Sequence, residues 1–134
     1  MKTLQQKYAS SVYARVTDYK KDHKDNAQKT YGAMSMNMPI LVRMSGLVQA
    51  LAFLEMKASD KKGPYQDLLN DLSQVVMAET GYAKTLSEAS RETGFQDYAY
   101  LTRHTLLALD WFKRFAQSIL KVKTTDSGEE DHDG

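Results

Sequence analysis

The run Tyr98-Ala99-Tyr100-Leu101-Thr102-Arg103-His104-Thr105-Leu106-Leu107-Ala108-Leu109-Asp110-Trp111-Phe112-Lys113-Arg114-Phe115-Ala116 decides the fold class. Tyr98, Leu101, Leu109, Phe112 and Ala116 recur at helical spacing, and Ile119 extends the stripe. The pattern predicts a helix over residues 95–123, ~40 Å long at ~1.5 Å per residue. A helix of that length with one apolar side needs other elements to cover it, so it reads as the spine of a bundle.

Working outward from the spine, every long segment shows the same three- and four-residue step. Leu4, Tyr8, Val12, Val16 and Tyr19 predict a first helix that fades into a loop or frayed end over residues 20–26. A second helical region is expected over residues 27–58, with an apolar face that includes Ile40, Leu41, Met44, Leu47, Val48, Leu51 and Leu54. Pro39 should kink or restart it, with Asn37 or Ser35 as the new cap, and Gly46 on that surface suggests close helix approach. Gly63-Pro64 then stops one helix and starts the next, whose stripe is Tyr65, Leu68, Leu69, Leu72, Val75 and Val76, ending near Gly81. Thr85-Leu86-Ser87-Glu88 has capping-box spacing, which predicts a short helix over residues 86–92. With two prolines, seven glycines and few β-branched runs, little is left to build sheet from. The expected class is all-α: a compact bundle of about five to six helices in a single domain, residues 1–123. Residues 124–134, polar and without periodicity, read as a disordered acidic tail.

Composition removes several kinds of chemistry. The 134 residues include no cysteine, so disulfides, thiolate nucleophiles and cysteine-ligated metals are excluded. His23 and His132 sit in polar segments, and His104 has no second histidine at helical metal-binding spacing. The plainer reading of His104 is a helix-surface or satisfied packing histidine. Asp22 with Asp25, and the tail's acidic run, are too flexible to fix the geometry of a selective cation site. No phosphate-cradling glycine loop or dinucleotide fingerprint occurs. The expectation is no enzyme, no metal and no cofactor. Charges interrupt the apolar stretches well short of a membrane span, and no apolar leader opens the chain, so a cytoplasmic protein is expected.

The net charge of +1 hides an asymmetry. All 18 Lys and Arg residues precede residue 124, against 12 of the 17 acids, which leaves that portion at +6. A basic body suits a polyanion such as RNA. Lys7, Ser11 and Arg15 share one side of the first helix; Arg103, Arg114 and Lys121 recur on one side of the last, with Lys113 adjacent. Two such sides can make a groove for a phosphate backbone, and an ordinary solvated face explains them equally well. The methionines around Pro39 (Met34, Met36, Met38 and Met44) read first as gap-filling core and second as an interaction surface.

Two blocks resemble a known family. One is Met38-Pro39-Ile40-Leu41-Val42-Arg43-Met44-Ser45-Gly46-Leu47-Val48-Gln49-Ala50-Leu51-Ala52-Phe53-Leu54. The other is Tyr100-Leu101-Thr102-Arg103, continuing through Leu109-Asp110-Trp111-Phe112-Lys113-Arg114-Phe115-Ala116. Their order and spacing resemble the small helical subunit, the fifth and smallest Cmr protein, of the type III-B CRISPR RNA-silencing effector complex. The resemblance covers residues 4–120, with Met38 for the usual Leu, Ser45 for the usual Asn, and His104 where Glu is frequent. It implies a non-catalytic subunit that stacks in several copies as an inner filament. Such a subunit lies beside the large and backbone subunits and lines the channel for guide and target RNA without reading sequence. RNA cleavage then belongs to the backbone subunits.

Carried over by position, Lys113 and Arg114 match the family's Lys-Arg pair and Arg43 falls within the first block; Trp111, Phe115, Pro39 and Gly46 match as packing residues. Arg15, Lys20, Lys21, Lys24 and Arg103 join the candidate RNA-contacting set from the charge pattern alone. The competing reading is a helical protein–protein adaptor with no nucleic-acid contact, its Met and Tyr residues making the contacts.

Overall fold

The computed structural model describes residues 1–123, so the tail expected to be disordered lies outside the described residues. They form six helices and no strand: α1 Leu4–Asp22, α2 Asp25–Ser45, α3 Leu47–Lys57, α4 Pro64–Thr80, α5 Leu86–Glu92 and α6 Phe95–Ser118. The all-α expectation holds, and its helix count is six.

The long helix α6 packs most extensively on α2 and α1, and α4 lies against both α2 and α6. The short α5 and α3 pack on each other and on α4. One continuous core draws on all six: Tyr8, Val12 and Val16 from α1, Tyr31 and Met38 from α2, Leu47, Leu51 and Leu54 from α3, Leu68 and Leu72 from α4, Leu86 from α5, and Leu101, Leu109 and Phe112 from α6. Each such side chain, once buried, contributes ~1.5–3 kcal/mol, offset by the entropy of ordering the chain.

Local signals set most of the boundaries. Thr3 caps α1 in a full capping box with Gln6: Gln6 N–H donates to Thr3 Oγ1 at 3.1 Å and Thr3 N–H to Gln6 Oε1 at 2.8 Å. Pro64 occupies the first turn of α4, Gly81 ends it, and Thr85 Oγ1 accepts from Glu88 N–H at 3.2 Å to start α5.

Four expectations are corrected. The loop over residues 20–26 shrinks to His23 and Lys24, because Gln28 Nε2 donates to the Lys20 and His23 carbonyls at 3.0 and 2.7 Å and satisfies the end of α1. Lys20 and Lys21, in the last turn of α1, also complement its negative end.

Pro39 does not restart α2, and neither Asn37 nor Ser35 caps a new helix. Tyr31, Met34, Ser35, Met38, Pro39 and Val42 are all buried, and that packing offsets the ~3 kcal/mol cost of a mid-helix proline. The break falls instead at Gly46, whose φ of +88° ends α2 and begins α3, a conformation that L side chains adopt only with strain.

Treating residues 27–58 as one helix carried the apolar register across that break. Ile40 and Met44, expected on the apolar face, are therefore 52% and 81% exposed. Met34, Met36 and Met38 are core, as the gap-filling reading had it.

Finally, α6 ends at Ser118 rather than at residue 123, so it is ~36 Å long. Lys121 takes a φ of +60°, Val122 N–H donates to the Ala116 carbonyl at 3.0 Å, and Leu120 and Val122 fold onto Gly32 of α2. The expected basic stripe of three on α6 is therefore reduced to Arg103 and Arg114.

Candidate nucleic-acid interface

Eleven residues separate Arg103 from Arg114 on α6, so they share a side of the helix ~16 Å apart along its axis. Both are exposed, and each guanidinium lies over a ring of its own helix: Arg103 5.7 Å from the Tyr100 centroid and Arg114 5.9 Å from that of Trp111. Lys113, half-buried, adjoins Arg114.

Arg43 reaches this side from α2. Its guanidinium donates to Asp110 Oδ1 at 3.4 Å, with both side chains about half exposed. A shallow groove bounded by Arg43, Arg103 and Asp110 runs along the start of α6, floored by Tyr98, Thr102, Leu106 and Leu107. Phe95, 86% exposed, stands at its end. A groove with an apolar floor and two guanidinium rims can hold a phosphate backbone or an extended apolar segment.

The remaining candidates lie elsewhere. Arg15 does not present a free charge: it donates to Asp71 Oδ1 at 3.3 Å and to Gln74 Oε1 on α4. Asp71 also accepts from the buried Tyr31 hydroxyl at 2.7 Å, and Asp67 from the Tyr19 hydroxyl at 2.9 Å. His23 stacks on Tyr19 with centroids 3.8 Å apart, its Nε2 3.6 Å from Asp67. Burial raises the Asp71 carboxyl above its ordinary value, against the pull of Tyr31 and Arg15; burial and Asp71 push the Tyr31 hydroxyl well up, and burial and Asp67 raise that of Tyr19. The cleft here is lined by Asp18, Asp22, Asp67 and Asp71, so it is acidic. Lys20, Lys21 and Lys24 are exposed at the α1–α2 junction near it. The α1 side that carries Arg15 therefore turns to α4 and makes no groove with the basic side of α6.

Sequence reasoning missed three residues here. Asp67 and Asp71 sit one helical turn apart, each immediately before a leucine of the buried stripe, Leu68 and Leu72, a spacing that places two carboxylates beside that stripe and was legible. Asp110 carried no local sign of its partner, 67 residues away.

His104 is the satisfied packing histidine, 6% exposed with Nδ1 2.7 Å from the Tyr8 hydroxyl. Among the described residues no group of three His, Asp or Glu side chains is placed to hold a metal ion, and no helix is long and apolar enough to cross a membrane.

Residues 4–119 match the model of a family described as CRISPR-associated protein (Cas_Cmr5). A CRISPR system Cmr subunit Cmr5 from Thermus thermophilus is 38% identical over 123 residues, 90% of this chain and 99% of the relative. The X-ray crystal structure of a CRISPR-associated Cmr5 family protein, also from Thermus thermophilus, superposes with a TM-score of 0.74 at 36% identity, covering 91% of this chain and all of that one.

Proposed function

The chain belongs to the Cas_Cmr5 family, and on that premise we propose that it is a non-catalytic small subunit of a type III-B CRISPR ribonucleoprotein. Several copies stack as an inner filament beside the large and backbone subunits. Their basic residues line the channel for guide and target RNA, contacting phosphates and not base edges.

One observation carries the reading. Arg43, paired with Asp110, and Arg103 border one groove on α6, so cations from two separate blocks of sequence share it, and Lys113 and Arg114, which have no carboxylate partner among the described residues, continue along that helix. Point charges on a rigid helix suit a partner recognised by its backbone, and several copies in a row multiply a weak contact into a strong one. The test is simultaneous Arg43→Glu, Lys113→Glu and Arg114→Glu substitution in the assembled complex. RNA capture falls while helicity and melting temperature stay within a few degrees of the parent; undiminished capture defeats the assignment of these sites.

The exposure of Phe95, Met44 and Ile40 favours a second reading, a helical protein–protein adaptor without nucleic-acid contact. Filter binding separates the two, since an adaptor retains no RNA even at low salt.

A further inference from the structure

An open row of aromatic rings joins α1 to α6. The Tyr13 ring meets that of Phe115 edge-on with centroids 5.5 Å apart, and Phe115 stacks on Trp111 at 5.6 Å. The Arg114 guanidinium, over Trp111, extends the row with a further flat, cationic surface. The Trp111 indole N–H donates to Gln5 Oε1 at 2.8 Å, which fixes the ring's orientation and satisfies its one polar atom. Phe115 and Trp111 are half-buried, but Tyr13 is 53% exposed and closes no part of the core. About half of the Tyr13 surface thus stays open to solvent beside its contact with Phe115.

The two chain segments that carry the row are basic. Residues 1–17 contain Lys2, Lys7 and Arg15 with no carboxylate, and residues 111–123 contain Lys113, Arg114, Lys121 and Lys123 with none either. Arg15 is engaged by Asp71, whereas Lys113 and Arg114 have no carboxylate partner among the described residues. The row thus combines flat π-faces with two cations, Lys113 and Arg114, that have no carboxylate partner among the described residues.

We propose that Tyr13, with Trp111 and Arg114, is a stacking site for unpaired bases of single-stranded RNA. A base lies on the open face of Tyr13, and Lys113 and Arg114 take the adjoining phosphates. Every base has a π-face, so such a site tolerates any sequence, and a duplex, whose bases are already stacked, cannot use it. This rests on the RNA-contact reading above and adds that bases, not phosphates alone, are touched. It also assigns to Trp111 a contact role beyond packing.

Trp111 is the sole tryptophan, so its emission reports the site directly. The full-length chain is titrated at low salt with a labelled uridine oligomer of about twelve nucleotides, matching typical single-strand site sizes, while label anisotropy is read. Trp111 emission is followed with the unlabelled oligomer. An abasic oligomer of equal length and an RNA duplex serve as comparators. The uridine oligomer binds with saturable quenching of Trp111; the abasic strand binds about tenfold more weakly, and neither it nor the duplex quenches. Tyr13→Ala weakens uridine binding about tenfold and leaves abasic binding unchanged, and Tyr13→Phe restores it. Equal affinity for the uridine and abasic strands with unquenched Trp111 overturns the stacking site and leaves phosphate contact standing. No anisotropy change with any oligomer overturns both.

Discussion

The Tyr8 hydroxyl lies 2.7 Å from His104 Nδ1, and both residues are buried where α1 crosses α6. Their rings also meet edge-on, with centroids 5.7 Å apart. This contact pins the spine of the bundle to its first helix through a polar pair that neither helix can satisfy alone.

Tyr8→Phe removes the hydrogen bond and leaves the imidazole without that partner. A buried polar group left unsatisfied costs about 1–3 kcal/mol, and urea denaturation should show a loss in that range with an unchanged m-value.

The same pair makes stability depend on pH. Burial, with Arg103 next, lowers His104 below its ordinary 6.5 against the opposing pull of Glu79. As pH falls below 6.5 the unfolded chain takes up the proton before the folded chain does, so this group's contribution is complete above 6.5 and shrinks towards the lowered folded value. Urea midpoints measured from neutral to mildly acid pH should decline more steeply for the parent than for His104→Gln. Parallel profiles would show that His104 titrates alike in both states.

Asp71 serves Tyr31 and Arg15 together. Arg15 is partly solvated, so losing its ion pair contributes little, whereas Tyr31 is fully buried and keeps an orphaned hydroxyl in Asp71→Ala. That variant should lose about 2–3 kcal/mol and Tyr31→Phe about 1 kcal/mol. The double variant should recover part of the loss, which thermal melts of all three can measure.

At Gly32 a Cβ would sit 2.4 Å from Val122 Cγ2 and 3.3 Å from its Cβ. Gly32→Ala gains up to ~1 kcal/mol of helix propensity and still destabilises, because overpacking costs ~1–3 kcal/mol. Combined with Val122→Ala the 2.4 Å overlap goes and only the tight 3.3 Å contact with the Cβ remains, so the pair should be clearly non-additive in a double-mutant cycle.

The Tyr98 hydroxyl accepts the Val48 N–H at 3.1 Å and would lie 3.4 Å from a Cβ on Gly46. It caps the first turn of α3 from α6. Tyr98→Phe should therefore cost ~1 kcal/mol, as loss of a cap does, and Gly46→Ala at least as much through its positive φ. Hydrogen exchange at Val48 should quicken in the first variant.

Helices were legible wherever a signal is local. Thr85 and Glu88, Gly63 and Pro64, and the stripe of α6 act within a turn or two, and the expected elements appear there. Pro39 misled because its cost is local while its compensation comes from α6 and α4 packed against α2. Of the candidate RNA contacts, Arg43, Arg103, Lys113 and Arg114 were legible as charges on helices, but their grouping was not. Nor was the commitment of Arg15 to an acidic cleft, or the alignment of Tyr13 with Trp111.

The sequence alone determined that this chain is helical, lacks thiol chemistry, is basic through residue 123, and carries the blocks that mark its family. Only the tertiary structure decided which charges pair with which. Arg15 is neutralised by Asp71, 56 residues away, while Arg43 meets Asp110 across 67. The reason is physical: helix periodicity is a property of consecutive residues, whereas ion pairing and ring stacking fall off with distance in space, which the order of residues along a chain does not contain.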